Sequence, residues 1–107
     1  HVTGQFFTDE ETRQAILDVY TETGYVMCPH TAIGYLGLQK TVQEKNLNVS
    51  GVVLGTAHPA KFKDIVDPVL KQEVKIPQRL LNIIDQEKVS IEMKPDFEAF
   101  KRFLMER

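Results

Sequence analysis

The run Gly51-Val52-Val53-Leu54-Gly55, closed by Thr56 and followed three residues later by Pro59, constrains this chain more than any other stretch. It is short, apolar and β-branched. The residues after it, Phe62, Ile65, Val66, Val69 and Leu70, recur at helical spacing, so the whole reads as buried strand, tight turn, helix. Such a strand delivers its turn to the carboxyl edge of a sheet. There Gly55 lets the backbone bend, the helix start leaves N–H groups unpaired, and Thr56 offers a hydroxyl that donates or accepts. The same grammar joins ordinary α/β units that bind nothing, so the turn alone does not define a site. Pro59 has a local reason of its own, since the first helical turn tolerates a missing N–H.

A chain of 107 residues with 42% hydrophobic content is enough for one small core. Its net charge of −2, without a basic block or aromatic-basic interleaving, argues against binding to nucleic acid or a membrane surface. No apolar run approaches the roughly 20 residues of a membrane span. His1-Val2-Thr3-Gly4 shows no leader pattern, and His1 is read as tag-like and kept out of the fold. A single cysteine, Cys28, excludes an internal disulfide framework and favours a reducing compartment, so a cytoplasmic location is expected.

Taken in order, Thr8 and Glu11 fit a capping box ahead of Ile16, Leu17 and Tyr20, which predicts a helix over about 8–22 with Gly24 as its left-handed stop. Tyr25-Val26-Met27-Cys28 is a short apolar run that stops at Pro29. A second helix then runs from His30 to about Lys45, and Gly34 and Gly37 inside it imply that something approaches closely. Residues 49–55 supply one convincing strand. Because a lone strand cannot satisfy its own backbone, its neighbours are expected elsewhere in a larger protein. The third helix opens at Pro59 and is expected either to extend past Pro68 or to break there. Val74-Lys75-Ile76 reads as extended, Pro77 opens a fourth helix, and residues 88–93 alternate like an edge strand or extended tail. Asp96 starts a last helix striped by Phe97, Phe100, Phe103 and Leu104. No repeat or linker stands out, so the chain reads as one structural unit.

Two stretches, Cys28-Pro29-His30-Thr31-Ala32-Ile33-Gly34-Tyr35 and Gly55-Thr56-Ala57-His58-Pro59-Ala60-Lys61-Phe62, resemble characteristic words of the C-terminal part of threonine synthases. They stand in family order, and Asp9-Glu10-Glu11-Thr12 and Thr23-Gly24-Tyr25 extend the likeness to most of the chain. The resemblance implies an α/β, fold-type-II enzyme of the tryptophan-synthase-β-like kind, dependent on pyridoxal phosphate. This chain would be its C-terminal segment, mostly helical with one or few strands. The implied reaction converts O-phosphohomoserine and water to threonine and phosphate, and the implied partner is the N-terminal part of the same enzyme.

Such an enzyme needs a Schiff-base lysine, a phosphate cradle and a partner for the pyridine nitrogen. The first two lie upstream in the family, in a Ser-Phe-Lys-like word and a glycine-rich loop, and neither word occurs here. No residue of this chain is therefore assigned a catalytic role. Thr56 matches the position that, in this fold type, hydrogen-bonds the pyridine nitrogen. His30, Thr31, His58 and Lys61 are candidates for lining the substrate pocket. For the two histidines, each at a helix start without a visible partner, the structural role of capping backbone groups is the better reading, and Lys61 suits a phosphate or an acidic partner. No metal is expected, because Cys28 has no second cysteine and no ligand set surrounds the histidines. Two other readings stay open: a threonine-synthase-like phospho-lyase acting on a related phosphorylated compound, and a non-enzymatic α/β interaction module.

Overall fold

The Thr8 hydroxyl and the Glu11 carboxylate start the first helix by satisfying each other's backbone. The Glu11 N–H donates to Thr8 Oγ1 at 3.3 Å, and the Thr8 N–H donates to Glu11 Oε2 at 2.7 Å. Helix α1 (Asp9–Thr23) follows and ends on Gly24, whose φ of 73° is left-handed and whose N–H donates to the Tyr20 carbonyl. In this computed structural model residues 2–106 are described, so His1, read above as tag-like, lies outside the described residues. Residues up to Pro77 pack as one body and residues from Gln78 as another, and each is taken by itself.

In the first body α1 lies against both α2 (Pro29–Glu44) and α3 (Lys63–Leu70), and a 3-10 turn (Pro59–Phe62) leads into α3. The core is Ala15 and Ile16 from α1, Met27, Ala32 from α2, and Val66 and Leu70 from α3. Ile16 and Val66 are wholly excluded from solvent, and burying side chains of this size contributes about 1.5–3 kcal/mol each.

Pro68 sits inside α3, so the helix extends past it. An interior proline costs about 3 kcal/mol, offset here by the burial of Val66 and Leu70 on either side of it and by a polar clasp. In that clasp the Lys63 ammonium meets Asp67 at 2.7 Å and donates to the Val74 carbonyl at 2.9 Å. The Val74 N–H donates to Asp67 Oδ1 at 2.8 Å. The clasp ties the chain leaving α3 back onto the helix.

The expected strand does not form. Among the described residues there is no strand at all, and no backbone–backbone hydrogen bond engages residues 48–57. The physical reason is the lack of a partner, because the neighbouring backbone is spent in helices. The run nevertheless keeps a two-residue alternation as it passes antiparallel along α2. Gly51 lies against Leu38, Val53 against Gly34, and Gly55 against Thr31, whereas Val52 and Leu54 face solvent at 83% and 80% exposure. A Cβ on Gly34 would stand 3.4 Å from Val53 Cγ1, and one on Gly37 would stand 3.9 Å from the Phe7 ring. The glycines of α2 thus mark the close approaches that their presence implied.

The second body holds α4 (Gln78–Ile84) and α5 (Phe97–Met105), the latter capped by Asp96 accepting from the Ala99 N–H at 2.8 Å. Residues 88–93 form no strand, and Val89 is 94% exposed. Among the described residues of this body none is buried, and the aromatic stripe of α5 stays largely exposed, with Phe97 at 72% and Phe100 at 49%. No helix among the described residues is long and apolar enough to cross a membrane.

Candidate cofactor-facing site

The two sequence stretches that resemble threonine synthases meet in space. Cys28 precedes Pro29 at the start of α2, and its buried thiol lies 3.2 Å from the Thr31 hydroxyl. Thr31 is 6% exposed and packs toward Gly55: a Cβ built there would stand 3.7 Å from Thr31 Oγ1 and 3.8 Å from the Tyr25 hydroxyl. One turn further into the second stretch, the His30 ring packs on Phe62 with centroids 5.0 Å apart and planes tilted by 60°. The start of α2 and the entry to α3 are therefore joined by a hydroxyl contact and a ring contact.

Thr56 emerges at the end of the extended run. It is exposed, and its hydroxyl makes no hydrogen bond among the described residues. His58 is also exposed and caps the 3-10 turn, with Nδ1 accepting from the Ala60 N–H at 3.1 Å. His58 and Tyr25 line one open groove of about 420 Å³ with Val26, Pro59 and the return segment 72–75. Lys61 is exposed, its N–H donating to the His58 carbonyl at 3.1 Å, and its ammonium makes no ion pair among the described residues. His30 faces solvent beside Phe62, and Thr31 is buried. Thr31 is thus brought beside Gly55, next to Thr56, whereas Lys61 is exposed and makes no ion pair among the described residues.

Sequence reasoning missed Tyr25 as a member of this group. Its signal was available, since Thr23-Gly24-Tyr25 belongs to the resemblance and Gly24 sets the direction in which the chain leaves α1. The two clear pKa shifts lie in supporting structure: the Lys63 ammonium and the Val74 N–H hold the Asp67 carboxyl below its usual range, and the backbone N–H and hydroxyl of Thr8 do the same for Glu11. Among the described residues no three His, Cys, Asp or Glu side chains gather at metal-binding distance.

Fold and geometry together define a helical module with an open groove beside Tyr25 and His58. Comparison with known proteins supplies the family: the one described as threonine synthase, C-terminal, matches residues 31–104, and the chain belongs to it. Threonine synthase of Buchnera aphidicola from Acyrthosiphon pisum is 39% identical over 100 residues, which is 94% of this chain and 22% of that protein. The Escherichia coli K12 threonine synthase is 34% identical over 95% of this chain and 23% of its own length. Among solved structures, Escherichia coli threonine synthase superposes with a TM-score of 0.70 at 32% identity, covering 91% of this chain and 22% of the other. PLP-bound threonine synthase from Brucella melitensis gives 0.61 at 30% identity over 92% and 21%. The chain thus spans between a fifth and a quarter of the length of these relatives.

Proposed function

We propose that this chain is the C-terminal segment of a pyridoxal-phosphate-dependent threonine synthase, a lyase that forms threonine and phosphate from O-phosphohomoserine and water. In this reading it supplies one wall of the cofactor site and takes its catalytic residues from the N-terminal part of the enzyme. The observation that carries the proposal is Thr56, an exposed hydroxyl without a hydrogen bond among the described residues, set directly after Gly55 at the end of the extended run. A pyridine nitrogen asks for one such partner, so the residue fits the group. Pyridoxal phosphate, when bound, supplies an electron sink for the reacting carbon. Thr56 would moderate that sink, because a neutral hydroxyl, unlike a carboxylate, does not force the ring nitrogen to stay protonated.

The other candidates take supporting places in the same reading. His58 holds the turn that follows Thr56 through its cap, and His30 holds the start of α2 against Phe62. Lys61, without an ion pair among the described residues, is offered to a phosphate. The apolar edge of Val52 and Leu54 is the surface that the N-terminal part covers.

In the full-length enzyme, Thr56→Val keeps the shape and removes one hydrogen bond, which costs about 0.5–1.5 kcal/mol of cofactor affinity. Thr56→Ser retains the hydroxyl and is the milder change. Cofactor titration and single-turnover rates measure both. If valine and serine behave alike and match the wild type, Thr56 is a turn residue and the assignment fails.

A further inference from the structure

Resting on the proposed contact between Thr56 and the cofactor, we infer that Tyr25 and Thr31 are positioning residues whose two hydroxyls together hold the Gly55-Thr56 turn. The turn needs such support. Residues 48–57 have no backbone–backbone hydrogen bond, so side-chain packing along α2 keeps the run in place. Leu38 meets it at Gly51, Gly34 meets it at Val53, and the hydroxyls of Thr31 and Tyr25 lie beside Gly55, the residue before Thr56.

Each hydroxyl is anchored by a helix end. Thr31 sits in the first turn of α2, buried, with its Oγ1 3.2 Å from a cysteine sulfur that is itself 1% exposed. Tyr25 directly follows the left-handed Gly24, and its N–H donates to Thr23 Oγ1 at 3.1 Å. The carboxyl end of α1 and the amino end of α2 therefore converge on Gly55 from fixed origins. Removing the Tyr25 hydroxyl opens space beside Gly55, and replacing the Thr31 hydroxyl by a methyl ends its bond to the Cys28 thiol, so either change frees the turn to shift. A displacement of even about 1 Å at a positioning group is enough to spoil a directional contact.

The test uses the full-length enzyme with pyridoxal phosphate. Thr31→Val, Thr31→Ser and Tyr25→Phe are each made with Thr56 present and in a Thr56→Val background. Cofactor affinity and the pH dependence of the bound cofactor's absorbance are the readouts. With Thr56 present, Thr31→Val and Tyr25→Phe are expected to weaken binding about two- to tenfold and to move the absorbance profile toward that of Thr56→Val. Thr31→Ser, which restores the hydroxyl, returns the wild-type profile. In the Thr56→Val background the same changes add nothing further, because the contact they serve is gone. Equal losses in both backgrounds would overturn the positioning role while leaving the Thr56 contact intact. A silent Thr56→Val with an unchanged spectrum would instead overturn the contact, and the positioning role with it. Should Thr31→Val fail to fold, Tyr25→Phe decides alone, since Tyr25 is 59% exposed and its ring is retained.

Discussion

Helix α2 and the run of residues 49–56 lie side by side yet are held in opposite ways. The helix satisfies its own backbone and buries Thr31 and Ala32, whereas the run has no backbone–backbone hydrogen bond and turns Val52 and Leu54 to water. One is stable by local bonding and a core; the other keeps the alternation of a strand without the sheet. A segment built this way stays in position only as well as the side chains beside it allow, and it keeps its edge open for another chain.

That contrast is broken first by function. The isolated chain should release no phosphate from O-phosphohomoserine with pyridoxal phosphate present, because the partner of the open run and the Schiff-base lysine both lie elsewhere in the proposed enzyme. Turnover that a lysine substitution within residues 2–106 abolishes would defeat the proposal.

The next largest effect is on stability. Ile16→Ala, in the core under α1, should cost about 2–5 kcal/mol in denaturant or thermal unfolding, while Val52→Ala on the open run should stay within about 0.5 kcal/mol. Hydrogen exchange sharpens the same point. Amides of α1 and α2 should be protected in the chain as it stands and those of 49–56 should exchange almost freely. In the full-length enzyme the run should become protected, and continued free exchange there would remove the proposed N-terminal partner.

Smaller still is the capping box: Thr8→Ala should cost about 0.5–2 kcal/mol, read as a lower melting temperature. Smallest is the acid response of the clasp. The Asp67 carboxyl is held below its usual range by Lys63 and Val74, so its stabilisation is present above its unfolded-state value near pH 4 and is lost as pH falls through the lower, folded value. Melting curves of Asp67→Asn should accordingly lie below wild type at pH 7 and approach it under acid. A constant gap across that range would assign the loss to packing.

Most helices were legible because their signals are local. The pair Thr8 and Glu11, the stop at Gly24, the glycines of α2 and the cap at Asp96 act across a few residues, and the structure carries each of them. Pro68 was left open because its neighbour restriction says nothing about Val66 and Leu70 being buried on either side of it, nor about Lys63 and Asp67 closing on Val74. The division after Pro77 had no sequence signature.

By itself, then, the sequence determined where most helices begin, though it opened the third at Pro59, where a 3-10 turn precedes α3, and it determined which two stretches carry the family likeness. Tertiary structure alone decided that residues 49–56 lie on a helix instead of in a sheet, and that His30 meets Phe62. It also brought the hydroxyls of Tyr25 and Thr31 together beside Gly55. The reason is range: a cap or a left-handed stop is complete within one turn, but a strand exists only if a distant backbone lies beside it.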